Sequence, residues 1–133
     1  MRLLVDANIL FSALYDMDST AGNLLFLAID GEIELFSTEH IKDEMGRILE
    51  KKLGYSKGEI EGLVASLPID WLERGIYEDV LDEARKVLSD ESDASLLAGA
   101  AVLGCDVVSG DKKVLASRFW KVKVRRLREF KRV

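Results

Sequence analysis

Apolar positions follow two different periods along the chain, and their order predicts strands separated by helices. Short apolar runs that end at polar residues predict strands at RLLVD (2–6), EIELFS (32–37), IDWLE (69–73), CDVVSG (105–110) and KVKVRRL (121–127). The intervening segments repeat their apolar residues at helical spacing. They predict helices at ANILFSALYD (7–16), STAGNLLFLAIDG (19–31), TEHIKDEMGRILEKKLG (38–54), SKGEIEGLVASL (56–67), YEDVLDEARKVL (77–88), ESDASLLAGAAVLG (91–104) and DKKVLASRF (111–119).

This alternation of strands and helices predicts an α/β fold. We expect a three-layer α/β/α arrangement, with a mostly parallel central sheet of four to five strands joined by right-handed crossovers. The 133 residues suit one domain, so residues 1–133 are predicted to form a single domain. Functional sites of such sheets lie beyond the carboxyl ends of the strands.

The composition narrows the class of protein. The chain is 48% hydrophobic and 32% charged, which is ordinary for a globular protein. No apolar run reaches the roughly 18 residues that a membrane span requires. Met1 and Arg2 lead directly into a strand, so no signal peptide is expected. The single Cys105 cannot form an internal disulfide, and we expect a small core residue in a cytoplasmic protein.

Four acids are predicted to meet at the carboxyl edge of the sheet. Asp6 and Asp111 follow strands directly. Asp93 opens the helix that leads back to the strand ending near Asp111, so it returns to the same edge, and Glu44 lies one turn into a helix that follows a third strand. Each acid also has an ordinary interpretation. Asp6 and Asp111 suit helix caps, Asp93 with Asp90 resembles a capping box, and Glu44 suits a solvated helix face.

Convergence of these acids would predict a divalent cation. Two carboxylates about 4 Å apart repel each other by roughly 4 kcal/mol at an effective dielectric constant near 20, and a cation relieves that repulsion. Oxygen ligands without His or Cys favour Mg²⁺ or Mn²⁺ over zinc. A receiver-like signalling domain also binds Mg²⁺ at strand ends, but it needs an acidic pair where this chain has Asp6, Ala7 and Asn8.

Three segments together resemble a known family. LLVDANILFSALY (3–15), HIKDEMGRIL (40–49) and DESDASLLAGAAVLGCDVVSGDKKVL (90–115) are similar to the PIN domain, a metal-dependent ribonuclease fold shared by VapC-like toxins and RNA-processing nucleases. The resemblance covers nearly the whole chain, and its last segment is the most specific. It implies that the catalytic residues and metal ligands are Asp6, Glu44, Asp93 and Asp111.

The resemblance also implies the reaction and the supporting residues. Asn8 and Ser109 are expected to orient a carboxylate or a water, and Asp90 is the alternative to Asp93. The reaction would be hydrolysis of phosphodiester bonds in single-stranded or loop RNA by a water that Mg²⁺ or Mn²⁺ activates. The alternative within the same fold is a non-catalytic PIN-like module that binds RNA or protein. The chain departs from many relatives at RRLREFKRV (125–133), where they carry a Thr-Pro turn.

Charge and apolar surface suggest the partners. Residues 1–50 hold ten acids and three bases, whereas residues 112–133 hold ten bases and one acid. Lys112 and Lys113 are candidate phosphate contacts. The segment from Lys121 to Arg132, after Phe119 and Trp120, is either an RNA-binding strip or a solvated edge strand.

The resemblance adds two protein partners. A toxin would have an antitoxin protein as its partner. PIN domains commonly dimerise, and the apolar helix GNLLFLAI (22–29) suggests a homodimer interface.

Overall fold

The structure is a computed structural model that describes residues 1–131. Within this range one or two helices separate successive strands, and the last element is a short 3₁₀ helix, Leu127–Phe130. The strands are Arg2–Val5 (β1), Glu34–Thr38 (β2), Ile69–Leu72 (β3), Asp106–Ser109 (β4) and Val124–Arg126 (β5). The α-helices are Ala7–Tyr15 (α1), Thr20–Ile29 (α2), Glu39–Leu53 (α3), Lys57–Ser66 (α4), Arg74–Val87 (α5), Glu91–Leu103 (α6) and Lys112–Ala116 (α7).

The strands form one sheet in which all four neighbouring pairs are parallel. Their order is β3-β2-β1-β4-β5, with β1 in the centre. The register pairs Leu3 with both Leu35 and Asp106, and Val5 with Val108. The predicted α/β fold with a parallel sheet of four to five strands is therefore confirmed. A receiver-like domain has the strand order 2-1-3-4-5, so that alternative is wrong.

Successive side chains of β1 enter two different cores, because side chains alternate between the faces of a strand. Leu4 packs with α5 and α6 in a first core that includes Tyr77, Leu81, Leu96, Leu97 and Val107. Leu3 and Val5 pack with α1, α2 and α3 in a second core that includes Leu10, Leu24, Met45, Leu49 and Val108. The sheet thus lies between two layers of helices, as the sequence predicts.

Polar side chains cap most of the helices at the positions where the sequence changes from polar to apolar. Ser19 caps α2, and Ser56 with Glu59 forms a complete capping box on α4. Gly54 ends α3 with a φ of 67°, a left-handed conformation that glycine adopts without strain. Asp6, Asp90 and Asp111 cap α1, α6 and α7 through side-chain oxygens. Three of the caps are therefore acids that the sequence analysis also placed near the site.

The last strand is shorter than predicted. The sequence pattern predicts residues 121–127, but β5 covers only Val124–Arg126. The carboxylate of Glu129 accepts hydrogen bonds from the backbone N–H of Arg126 at 2.8 Å and from Nε of Arg125 at 3.3 Å. These bonds stabilise the 3₁₀ helix and end the strand. Helix α5 also starts earlier than predicted, at Arg74 instead of Tyr77.

The C-terminal 3₁₀ helix packs against α2. Leu127 and Phe130 contact the second core, and Nδ2 of Asn23 in α2 donates a 2.8 Å hydrogen bond to the carbonyl oxygen of Phe130. In α2 itself, Leu24 and Leu25 are buried, whereas Phe26 is 37% exposed. The chain therefore covers much of the apolar surface that suggested a subunit contact. The homodimer stays a prediction.

Two further predictions concern the environment of the chain. No helix within residues 1–131 combines the length and the apolar character needed to cross a membrane. Cys105 is partly buried and packs against the first core. Burial raises the pKa of its thiol to about 11, which leaves little thiolate for nucleophilic chemistry at neutral pH.

Candidate active site

The direction of the chain reverses across the sheet next to β1, and a cleft lies at that point. From β1 the chain builds β2 and β3 on one side, and later β4 and β5 on the other. Open α/β sheets bind ligands at such a switch point, beyond the carboxyl ends of the strands. Here a cleft of about 160 Å³ is lined by Asp6, Ala7, Asn8, Glu44, Asp90, Ser92, Asp93 and Asp111. The structure therefore brings all four predicted acids to one cleft.

Asp6 follows β1 and is only 8% exposed. Its Oδ1 accepts a 2.9 Å hydrogen bond from the backbone N–H of Ile9, and its Oδ2 accepts one of 3.0 Å from the hydroxyl of Ser109. Burial raises the pKa of the Asp6 carboxyl, and the nearby charges of Asp111 and Glu44 raise it further. The two hydrogen bonds oppose this rise. Asp6 therefore caps a helix and lines the cleft at the same time.

Ser109 connects Asp6 to Asp111. It is fully buried at the end of β4, and its Oγ accepts a 3.0 Å hydrogen bond from the backbone N–H of Asp111. Oδ1 of Asp111 accepts hydrogen bonds from the N–H groups of Lys113 at 2.8 Å and Val114 at 3.2 Å. Oδ2 of Asp111 has no hydrogen-bond donor within residues 1–131. The ordinary role of a helix cap thus uses one oxygen of Asp111 and leaves the other for a ligand.

Asp93 lies in the first turn of α6, after the cap Asp90. Oδ1 of Asp90 accepts a 3.0 Å hydrogen bond from the backbone N–H of Asp93. The carboxylate of Asp93 is partly buried, and in the described part of the chain it has neither a hydrogen-bond donor nor a cationic partner. Burial raises its pKa to about 6, with further contributions from the carboxylates of Asp90, Asp111, Asp6 and Glu44. Repulsion among the acids of the cleft is therefore present in the structure.

Close packing on the sheet sets the position of α6. A Cβ atom on Gly99 would lie 2.9 Å from Cδ2 of Leu4 and 3.2 Å from Cδ1 of Leu72, so a larger residue would force these side chains or α6 to move. Near the start of the helix, the hydroxyl groups of Thr38 and Ser95 are hydrogen-bonded at 2.8 Å. Together these contacts hold the first turn of α6, and with it Asp93, beside β1 and β2.

Glu44 reaches the cleft from the second turn of α3. The hydroxyl of Ser92 donates a hydrogen bond to Oε2 of Glu44. Ser92 is not predicted from the sequence, because the two residues lie 48 positions apart and no local pattern marks the contact. Ser92 stands between Asp90 and Asp93 in the acidic start of α6. That position is the only sequence signal for it.

The remaining predicted site residues contribute less to the cleft. Asn8 is exposed and lines the cleft, without a hydrogen bond to any of its acids. Lys112 and Lys113 are exposed in the first turn of α7 and do not line the cleft. Sequence analysis also missed Leu127, which borders a neighbouring cleft of about 360 Å³ together with Asp6, Asn8 and Asp111.

The side chains present suit a hard divalent cation. Carboxylate, hydroxyl and amide oxygens line the cleft, and no His or Cys does. In residues 1–131, however, no group of three or more His, Cys, Asp or Glu side chains is arranged closely enough to hold a metal ion. Asp6, Glu44 and Asp111 instead each accept hydrogen bonds from nearby donors.

Comparisons with known proteins identify the family. The PIN domain family model matches residues 4–130, so the chain belongs to the PIN domain family. PIN domains are generally nucleases and typically use divalent metal ions. The crystal structure of PAE2754 from Pyrobaculum aerophilum is similar, with a TM-score of 0.62 and 20% identity over 97% of this chain and 85% of that one. This likeness concerns the fold alone. A search of the curated proteins found no match.

Proposed function

We propose that the protein is a metal-dependent endoribonuclease that hydrolyses phosphodiester bonds in single-stranded or loop RNA. The observation that carries the proposal is the single cleft that Asp6, Glu44, Asp93 and Asp111 line at the switch point of the sheet. Membership of a family that generally consists of nucleases supports the reaction class.

The four acids divide the work of holding the cation. Asp6, Asp93 and Asp111 would hold Mg²⁺ or Mn²⁺, and Glu44 would complete the ligand set. When bound, such an ion lowers the pKa of a water and stabilises the charge that develops on the phosphodiester. Ser109 fixes the relative position of Asp6 and Asp111 through its two hydrogen bonds. Ser92 orients Glu44 in the same way.

The size and charge of the cleft favour a flexible RNA strand as substrate. The cleft is small, about 160 Å³, and the acids around it repel phosphate until a cation is present. A single strand or loop can bend one phosphate into such a cleft more easily than a rigid duplex can. Ser92 brings a hydroxyl to the cleft, but no His lines the cleft to activate it as a nucleophile, which agrees with hydrolysis by water.

Cleavage of a fluorescently labelled RNA of mixed sequence tests the proposal. The assay compares Mn²⁺, Mg²⁺ and EDTA for the wild type and for the Asp93→Asn and Asp111→Asn variants. Asp79→Asn is the matched control, because Asp79 is an exposed acid of α5 outside the cleft. We expect cation-dependent cleavage by the wild type and the control, and loss of cleavage in both cleft variants.

The possible outcomes separate the nuclease from the non-catalytic alternative. Cleavage that persists in both cleft variants would mean that these acids do not carry the reaction. A wild-type protein that binds RNA and never cleaves it with either cation would instead favour the non-catalytic RNA-binding module.

A toxin role is a separate and narrower proposal. Induced expression of the wild-type chain in a bacterial host would then arrest growth, and the Asp111→Asn variant would not. Growth arrest by both the wild type and the Asp111→Asn variant would contradict a toxin that acts through cleavage. The same assay would detect an antitoxin, since its co-expression restores growth.

A further inference from the structure

The outer edge of β5 carries an exposed tryptophan among basic residues. β5 is the last strand of the sheet order, so one of its sides has no neighbouring strand in residues 1–131. Within this part of the chain, five exposed residues lead from the end of α7 along this edge, and none of their side chains forms an ion pair with an acid. We call them the basic strip: Arg118, Trp120, Lys121, Lys123 and Arg126.

Trp120 is held outward in an unusual conformation. It is 64% exposed, and its φ of 46° is the only positive φ of a residue other than glycine in residues 1–131. Its ring stacks on Phe119, with 5.0 Å between the ring centroids and 19° between the planes. Phe119 is only 5% exposed and belongs to the first core. One face of the Trp120 ring is thus covered by Phe119, while most of the side chain stays exposed.

A groove of about 720 Å³ follows the same edge, and its unpaired charges are positive. Arg118, Trp120 and Lys123 are among the residues that line it. The groove also contains Asp106 and Glu129, but both lie within ion-pair distance of Arg125, at 3.9 Å and 3.3 Å. The three cations Arg118, Lys123 and Arg125 outnumber these two acids, so the groove carries a net positive charge.

The basic strip leads to the acidic cleft. In the middle of the strip, the carbonyl oxygen of Lys123 accepts a 2.9 Å hydrogen bond from the backbone N–H of Val107, close to the start of β4. At its far end Arg126 pairs with Ser109, which bonds Asp6 in the cleft. The seven residues from Trp120 to Arg126 span at most about 25 Å, enough for a few nucleotides.

We propose that the basic strip binds the single-stranded RNA that enters the acidic cleft, an inference that rests on the proposed nuclease function. A base stacks on the open face of Trp120, and neighbouring phosphates contact Lys121, Lys123 and Arg126. Proteins that bind single strands commonly combine aromatic stacking with a basic groove. The strip provides the attraction for phosphate that the acids of the cleft lack.

The ordinary explanation of this surface accounts for only part of it. Lysines often protect the free edge of a sheet from pairing with another chain. That function needs neither an exposed tryptophan nor a turn that places a bulky residue at positive φ. The positive φ belongs to a tight turn in which the N–H of Val122 bonds the carbonyl oxygen of Phe119, and the exposure of the ring in this turn suits a stacking platform for RNA.

Fluorescence anisotropy of a fluorescein-labelled single-stranded RNA tests the proposal. The titration is performed in EDTA, so that cleavage and cation binding do not contribute. Trp120→Ala should weaken RNA binding about tenfold, whereas Trp120→Phe should retain most of the affinity. The Lys121→Ala/Lys123→Ala double variant should reduce the slope of log K against log salt by about 1.4, since each phosphate contact on a single strand contributes about 0.7.

A matched control and a separate cleavage assay make the result decisive. Lys51→Ala/Lys52→Ala removes two exposed lysines at the end of α3 and should leave RNA affinity unchanged. Equal RNA affinity of the wild type and all strip variants, or no RNA binding by the wild type, would overturn the proposal that the strip binds RNA. If RNA cleavage still depended on Asp111 after such a result, the proposed nuclease function would stand. Binding through the strip without cleavage in Mn²⁺ or Mg²⁺ would refute the nuclease instead.

Discussion

The acidic cleft and the basic strip are built in opposite ways. The cleft gathers side chains from the ends of β1 and β4 and from the starts of α3 and α6, which lie far apart in sequence. The strip uses one continuous segment, from Arg118 to Arg126. The acids of the cleft lie near helix N-termini, whose free N–H groups favour negative charge. The bases of the strip are exposed and need no such support.

This difference determines how each region should respond to change. The acids of the cleft are positioned by buried hydrogen bonds and by close packing, so small structural changes should alter their function. The charges of the strip are exposed, so salt and charge removal should matter more than packing. Variants that affect one region and spare the other test this division.

The largest effect is expected from Asp111→Asn, which should separate cleavage from binding. Loss of a cation ligand should reduce the rate of RNA cleavage in Mn²⁺ by at least about 100-fold, more than the loss of a supporting residue does. RNA affinity in EDTA should stay the same or rise, because one repelling charge is removed. Single-turnover cleavage and anisotropy measure the two effects. If Asp111→Asn lowered both the rate of cleavage and the RNA affinity, the cleft and the strip would not function separately.

Ser109→Ala should reduce cleavage by about 10- to 100-fold, since Ser109 positions two of the acids. The variant also leaves Oδ2 of Asp6 and the N–H of Asp111 without their partner, which should lower the free energy of unfolding by about 1–3 kcal/mol. Cleavage rates and urea denaturation measure these changes. Ser66→Ala, at an exposed serine of α4, is the control and should change neither.

Gly99→Ala should affect the cleft through packing alone. The added Cβ would displace Leu4 or shift α6, lowering the free energy of unfolding by about 1–3 kcal/mol. Cleavage should fall and RNA binding in EDTA should not. The control Gly62→Ala, with open space around the new Cβ in α4, should raise the free energy of unfolding by about 0.5–1 kcal/mol. Equal stability of the two variants would contradict the close approach of α6.

The smallest effect concerns pH. The pKa of Asp93 in the folded protein is raised from 3.8 to about 6, so the folded state binds its proton more readily than the unfolded state does. This contribution to stability is complete below the ordinary pKa and is lost as pH rises through about 6. When the pH is lowered from 7 to 5 in EDTA, the free energy of unfolding of the wild type should therefore rise by about 1 kcal/mol relative to that of Asp93→Asn, after allowance for solvent screening.

Thermal unfolding at the two pH values measures this gain. The raised pKa of Asp6 acts in the same direction in both proteins, so only the difference between them reports on Asp93. Mn²⁺ should reverse the dependence by favouring the ionised carboxylate. A variant with the same pH dependence as the wild type would contradict the raised pKa of Asp93.

The sequence predicts those features that local chemistry determines. The period of apolar residues marks the strands and helices, and residues such as Ser19 and Gly54 mark helix ends. The carboxyl-edge position of Asp6 and Asp111 follows from strand direction alone. For that reason, the fold and the grouping of the four acids could be inferred before any distance was known.

Contacts between distant segments could not be predicted. No local pattern joins Ser92 to Glu44, and none shows that Ser109 bonds both Asp6 and Asp111. The sequence also predicted a longer last strand, because nothing in it signals that Glu129 ends the strand by capping a 3₁₀ helix. Side chains that meet across long separations depend on packing that periodicity does not describe.

Calorimetric titration with Mn²⁺ at pH 7 tests the central claim most directly, namely that the four acids form a cation site. The account predicts saturable binding to the wild type and to Asp79→Asn. It predicts at least tenfold weaker binding to Asp111→Asn. The absence of binding to the wild type, or equal affinity in all three proteins, would return these acids to the role of helix caps and contradict the account.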